Sequence, residues 1–330
     1  MGLDPDRAAV RAGVRRVLGE VPDGPVLVAC SGGADSLALL AAAVFETRGP
    51  GRPARSVVGV VVDHGLQEGS AEHTSRAVAQ MAGLGADETV SARVSVESRG
   101  QGPEAAAREA RYAVLEQVAE SFGAGLVLLG HTRDDQAETV LLGLTRGSGA
   151  RSLAGMRRGF GVFRRPLLDV TRGQSEAACH ADGIDFWADP HNSDPRFTRV
   201  RVRDRVLPVL EEELGPGVAA ALARTADALA EDAEALEGWA EEAWSGVATP
   251  GGLDVPSLAA LPVAVRTRVL RRAALEAGCP PSELFRVHVS ALVGLLADPE
   301  RARKQVRLPG HVTARTSGDT LHFLGTPVGG

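Results

Sequence analysis

Three stretches carry residue types that could do chemistry at usable spacing. SGGADS, at 31–36, follows the apolar run VLVAC. Glycines let backbone N–H groups approach an anion closely, and a helix starting just after them turns its positive end toward negative charge. Ser31, Gly32, Gly33, Ala34 and Ser36 are therefore candidates for a phosphate cradle. Asp35 is a carboxylate among anion donors, a placement that suits Mg2+ or a cationic second substrate. The turn is not a Walker A loop, because Gly-Ala-Asp-Ser stands where Gly-Lys-Ser/Thr is required. The second stretch, HTRDDQAE at 131–138, groups His131, Asp134, Asp135 and Glu138. On a helix Asp134 and Glu138 share a face, with Asp135 offset by about 100°. Three carboxylates so close repel one another unless a cation relieves them. The third stretch, 146–207, holds 12 Arg against 7 acids, enough local excess to hold phosphates although the whole chain is acidic. Arg199, Arg201 and Arg203 fall on one side if extended; Arg201 and Arg205 align if helical.

The elements that must position these residues can be read from periodicity. VLVAC, VVGVVV, TVSARVSV and LVLLG read as strands between residues 26 and 130, and the segments from Ser36, Ser70, Pro103 and Asp134 read as helices. That alternation predicts an α/β fold with a parallel sheet covered on both faces. In such sheets ligands bind beyond the carboxyl ends of the strands, where SGGADS, DHG with His64, and HTRDD all fall. From Val218 the pattern predicts a long amphipathic helix with an acidic outer face, and the tail from Lys304 reads as a small hairpin. The division expected is a catalytic domain over 1–210, a Gly/Pro-punctuated linker over 211–217, and a mainly helical domain with a short hairpin tail over 218–330.

Composition narrows the function classes. The chain has 330 residues, 44% hydrophobic and 24% charged, with a net charge of −6, which argues against indiscriminate coating of nucleic acid. Lys304 is the single lysine, so a Schiff-base or phosphate-binding lysine has almost no candidate. Cys30, Cys179 and Cys279 are far apart with no CxxC pair, so neither a zinc site nor a disulfide framework is expected. No apolar segment approaches a membrane span, and a cytoplasmic protein is the expectation.

SGGADS matches the SGGxDS signature of the PP-loop, or N-type, ATP pyrophosphatases. Further stretches narrow the resemblance. VVDHGLQEGS at 61–70, GPEAAAREARY at 102–112, GHTRDDQAETVLLGLTRGSGARSLAGM at 130–156, RRPLLDVTR at 164–172 and DPHNSDPRFTRVRVRDRVLPVL at 189–210 resemble the tRNA(Ile)-lysidine synthetase family in order and spacing. The resemblance implies an adenine nucleotide alpha hydrolase-like fold and a ligase. ATP adenylates carbon 2 of the wobble cytidine of a CAU-anticodon tRNA(Ile), and free L-lysine displaces AMP. It implies nucleotide contacts from Ser31 to Ser36 and His64, and catalytic roles for Asp35, Arg108, His131, Asp134, Asp135, Glu138 and Arg201. Mg2+ is expected at Asp35, lysine or Mg2+ at the carboxylates of 134–138, and compensating charge for the intermediate from Arg108 and Arg201. The basic group of Arg266, Arg268, Arg271, Arg272, Arg301, Arg303, Lys304 and Arg307 is expected to touch tRNA as well; a homodimer is left open. His191 and Val200 depart from the family pattern. Another PP-loop ATP pyrophosphatase acting on tRNA, such as a 2-thiolation enzyme, is the alternative.

Overall fold

The computed structural model describes residues 4–49, 55–63, 70–94, 103–145, 150–187 and 194–325. His64 and His191 lie outside the described residues. The chain forms two compact units, Met1–Asp227 and Ala228–Gly330.

In the first unit α1 (Pro5–Glu20) precedes β1 (Val26–Ala29), α2 (Ala34–Thr47), β2 (Val57–Asp63), α3 (Ser70–Gly83), β3 (Glu88–Arg93), α4 (Pro103–Ser121), β4 (Leu126–Leu129) and α5 (Arg133–Thr145). Then come α6 (Ala150–Leu153), β5 (Gly159–Phe160), β6 (Phe163–Arg164), α7 (Arg172–Ala181), α8 (Thr198–Arg201), a π-helical turn (Val202–Val206) and α9 (Leu207–Glu213). The sheet order is β3-β2-β1-β4-β6-β5, parallel throughout except the β5–β6 pair. Strand side chains alternate between two cores. Val26, Val28, Leu126 and Leu128 pack with α1, α2 and α7 on one face, and Leu27, Val127 and Leu129 pack with Leu115 and Ala119 of α4 on the other. Burial on both faces explains the near-continuous apolar runs.

The topology fixes where a ligand can sit. After β1 the chain winds outward to β2 and β3, then returns to place β4 on the other side of β1. Ala29 pairs with both Val60 and Leu129, so β1 and β4 end level and their outgoing loops flank one crevice at the point where strand order reverses. The loop after β4 touches the first turn of α2: a Cβ on Gly130 would lie 3.2 Å from the backbone of Asp35 and Ser36.

The long helix is α10 (Val218–Val247). Its first turns pack Ala219 and Leu222 against Ala137, Val202 and Leu207. The division between units therefore falls inside this helix rather than at 211–217, where Glu211–Glu213 ends α9. The second unit continues with β7 (Ala248–Thr249), β8 (Gly252–Asp254), α11 (Val255–Ala260), α12 (Val263–Glu276), α13 (Arg286–Ala297), β9 (Gln305–Leu308), β10 (Val312–Ser317) and β11 (Thr320–Gly325). The hairpin read from the tail is β10–β11, the centre of a five-stranded antiparallel sheet ordered β7-β8-β11-β10-β9. Its inner residues, Leu253, Leu308, Ala314 and Leu321, pack on Leu258, Leu270 and Leu292. Among the described residues no helix is long and apolar enough to cross a membrane.

Candidate active site at the β1–β4 crevice

The turn after β1 closes on itself. The Ser36 hydroxyl donates to the Gly33 carbonyl (2.9 Å) and accepts the Ser31 amide (3.1 Å). Gly32 adopts φ +79°, the left-handed region that glycine enters without strain. Gly33 is the N-cap of α2 and provides no side-chain cap, so the first amides of the helix are left for an external anion.

Asp35 extends from the first turn of α2 toward Arg172 of α7, whose Nε lies 4.0 Å from its Oδ2. Its Oδ1 is buried with no hydrogen-bond partner. Burial, reinforced by the nearby Asp135 carboxylate, pushes the Asp35 pKa up to about 7, against the pull of Arg172 and Ser175. A cation at Oδ1 would satisfy this oxygen and restore the charged form.

The acids of α5 are mostly engaged. Asp135 Oδ2 accepts the Thr132 amide (2.9 Å) and hydroxyl (3.1 Å), completing a capping-box pattern at the start of α5, while Oδ1 accepts from Arg172 Nη2 (3.0 Å). Burial works to raise the Asp135 pKa, but Arg172, the Thr132 amide, His131 and Arg199 outweigh it and the net shift is downward. Asp134 Oδ2 accepts the Arg172 amide (2.8 Å) at the first residue of α7. Glu138 is fully buried and enclosed by three guanidiniums: Arg203 Nε at 2.7 Å, Arg199 Nε at 3.4 Å and Arg172 Nη2 at 3.5 Å. Arg199 and Arg203 reach one carboxylate because the chain is helical through the π turn, a feature frequent at functional sites. The chain's own arginines supply the cation that the clustered acids require.

His131 begins the loop after β4. Its Nδ1 accepts from Arg165 Nε (3.2 Å), and Arg165 also donates to the Tyr112 hydroxyl (3.0 Å). Burial, then the charge of Arg165, lowers the His131 pKa to about 4. The ring is neutral near pH 7, and with Nδ1 accepting, its proton sits on Nε2.

The structure thus brings together Ser31, Gly32, Gly33, Ala34, Asp35, Ser36, His131, Asp134, Asp135 and Glu138. Arg108 is exposed, with its guanidinium 5.7 Å from the Tyr112 ring centroid. Arg201 points away from the acids, donating to the carbonyls of Pro195 (2.7 Å) and Arg196 (2.9 Å). Arg172 and Arg165, which the sequence did not single out, join Arg199 and Arg203 at the cluster; the latter two were read as a ridge for phosphates and instead face Glu138. The i,i+4 spacing of Arg199 and Arg203 was the available signal. In the second unit, Arg266 and Arg271 donate to backbone carbonyls. Arg268 and Arg272 pair with Glu237 and Glu241 of α10, so these four are committed internally. Arg303 and Arg307 are exposed.

Comparison with known proteins finds relatives over both units. Residues 8–210 match the PP-loop domain family and residues 253–322 match the TilS substrate binding domain. A tRNA(Ile)-lysidine synthase of Thermobifida fusca is 53% identical over 94% of this chain and 94% of its own. One from Streptomyces coelicolor is 47% identical over 97% of this chain and 99% of its own. Among solved structures, the U34-tRNA thiolase NcsA of Methanococcus maripaludis, determined with its [4Fe-4S] cluster, superposes with a TM-score of 0.55 at 18% identity, covering 67% of this chain and 78% of that one. That likeness concerns the fold alone. With both family matches in order along the chain and full-length relatives near half identical, the chain belongs to the tRNA(Ile)-lysidine synthase family.

Proposed function

We infer that the chain ligates free lysine to carbon 2 of the wobble cytidine of CAU-anticodon tRNA(Ile), using ATP and releasing AMP and pyrophosphate. The observation that carries this reading is the juxtaposition, on the β1 side of the crevice, of an anion cradle and a buried carboxylate oxygen lacking a partner, Asp35 Oδ1. The cradle amides hold the phosphates of ATP while the C2 oxygen of cytidine attacks the α-phosphorus. Charge stabilisation and positioning dominate such transfers. Neutral His131 offers Nε2–H as a donor at the crevice, and Asp35 receives a cation. Mg2+ fits Asp35, since this ion is commonly held by one carboxylate together with substrate phosphates; when bound it neutralises charge developing on those oxygens. The ammonium of lysine is the other cation suited to Asp35. Asp135 and Glu138, already paired with arginine, shape that part of the wall.

The thiolation alternative loses support from the cysteines. All three are buried, and burial raises the thiols of Cys30 and Cys179 to about 12 and also raises Cys279, so little nucleophilic thiolate is present. The deciding experiment is incorporation of labelled lysine into tRNA(Ile) transcript with ATP and Mg2+, wild type beside Asp35→Ala. Lysine-dependent label, lost in the variant, is expected. Pyrophosphate release without lysine incorporation would refute the assignment of the nucleophile.

A further inference from the structure

We propose that His73 and Trp187, outside every signature stretch, form a ring clamp that sets the direction of the phosphate-binding amides and so acts as a positioning device for ATP. His73, on α3, donates from Nε2 to the Ser31 carbonyl (2.8 Å). Its ring lies 3.9 Å from that of Trp187, tilted by 37°, and the Trp187 backbone amide donates to the Gly32 carbonyl (3.0 Å). The third carbonyl of the turn, Gly33, accepts from the Ser36 hydroxyl (2.9 Å) and the Leu37 amide (3.1 Å).

A trans peptide is planar, so its carbonyl and the following N–H point in opposite directions. Fixing the carbonyls of Ser31, Gly32 and Gly33 therefore aims the amides of Gly32, Gly33 and Ala34 the other way. Those amides donate to no acceptor among the described residues, and this is the arrangement that a phosphate requires. Two of the three carbonyls are held from outside the turn, one by α3 and one by the segment after α7. Gln80, two turns along α3 on the same face, donates to the Asp185 carbonyl (2.5 Å) and ties that segment to the same helix. Gly32 is fitted to the clamp as well as to its backbone angle, because a Cβ there would strike His73 Cε1 at 2.7 Å.

This inference rests on the proposed ATP-dependent reading of the site. Its test is equilibrium binding of ATP, without tRNA or lysine, to wild type, His73→Ala, His73→Gln and Trp187→Ala, alongside steady-state lysidine formation. Loss of the His73 donor is expected to weaken ATP binding about five- to tenfold and to raise KM for ATP, with KM for lysine and tRNA unchanged. His73→Gln, which keeps a donor, should recover most of the loss. Trp187→Ala should resemble His73→Ala and add little to it when combined. Unchanged ATP affinity in His73→Ala, or equal damage to all three substrates without rescue by Gln, would overturn the clamp. A wild type that binds ATP in this pattern but forms no lysidine would leave the clamp standing and remove the ligase reading instead.

Discussion

The pKa of Asp35 makes the ligand-free protein less stable as pH rises, and the size of the effect can be worked out. An unfolded aspartate titrates near 3.9, whereas Asp35 in the folded chain titrates at about 7. Between those values the folded state binds the extra proton, so stability falls with increasing pH. From pH 5 to pH 8 the loss amounts to about 2.5 kcal/mol at 1.36 kcal/mol per unit. Asp35→Asn keeps the shape and removes the titration. It should therefore escape this loss while failing to make lysidine. For a unit of this size the difference corresponds to roughly 5–10 °C in Tm. Thermal unfolding of both proteins without nucleotide at pH 5 and pH 8 measures it. The asparagine variant should gain on wild type as pH rises. Parallel pH dependence in the two proteins would refute the argument that burial beside Asp135 strains this carboxylate. Mg2+ with ATP should close the gap at pH 8 by supplying the missing countercharge.

Further outcomes follow from the same geometry. Glu138→Gln leaves Arg199 and Arg203 beside a neutral amide and should cost about 3 kcal/mol, read by denaturant unfolding. Arg203→Ala should reduce lysidine formation at least tenfold by removing the nearest of Glu138's three partners, whereas Arg201→Ala, which loses bonds to the Pro195 and Arg196 carbonyls and the Thr198 hydroxyl, should stay within about threefold and lose about 1 kcal/mol of stability; comparing their turnover separates the two. Gly130→Ala places a methyl 3.2 Å from the backbone of Asp35 and Ser36 and should raise KM for ATP several-fold with the fold intact by circular dichroism. Arg165→Met removes both a donor to His131 Nδ1 and a repelling charge. The His131 pKa should then rise from about 4, moving the acid limb of the activity profile to higher pH.

Much of the first unit was legible in the sequence because its signals are local. Doubly buried strands read as apolar runs, the helices after them carry clear periodicity, and glycines mark the turn whose amides are proposed to meet an anion. The four strands β1 to β4 and the helices between them follow that reading closely. The two-residue strands β5 and β6 are too short for any period, and α1 gave no site residue to draw attention to it. In the second unit, strands of two to six residues pair across intervening helices, so local alternation revealed β10–β11 and not the partners on either side. At the site, the carboxylates could be recognised from spacing, but their countercharges could not. Arg172 lies 34 residues beyond Glu138 and Arg203 lies 65 beyond it, and which arginine meets which acid is decided by tertiary packing. The π turn mattered too: without a helical 198–206, Arg199 and Arg203 would not converge and Arg201 would be their equal.

The enclosure of Glu138 has a temporal side. The carboxylate belongs to α5, yet two of its three partners come from residues about sixty positions later in the chain, and burying an ion before its partners arrive is strongly unfavourable. During synthesis from the N-terminus, the parallel sheet can form around β1, β2 and β4 while Glu138 still faces water. The crevice reaches its final charge balance only once Arg203 has left the ribosome and the segment holding it has docked. Nascent chains shorter than this carry the glycine turn but an unfinished wall beside it. Completion of the nucleotide site is thereby coupled to completion of the whole first unit.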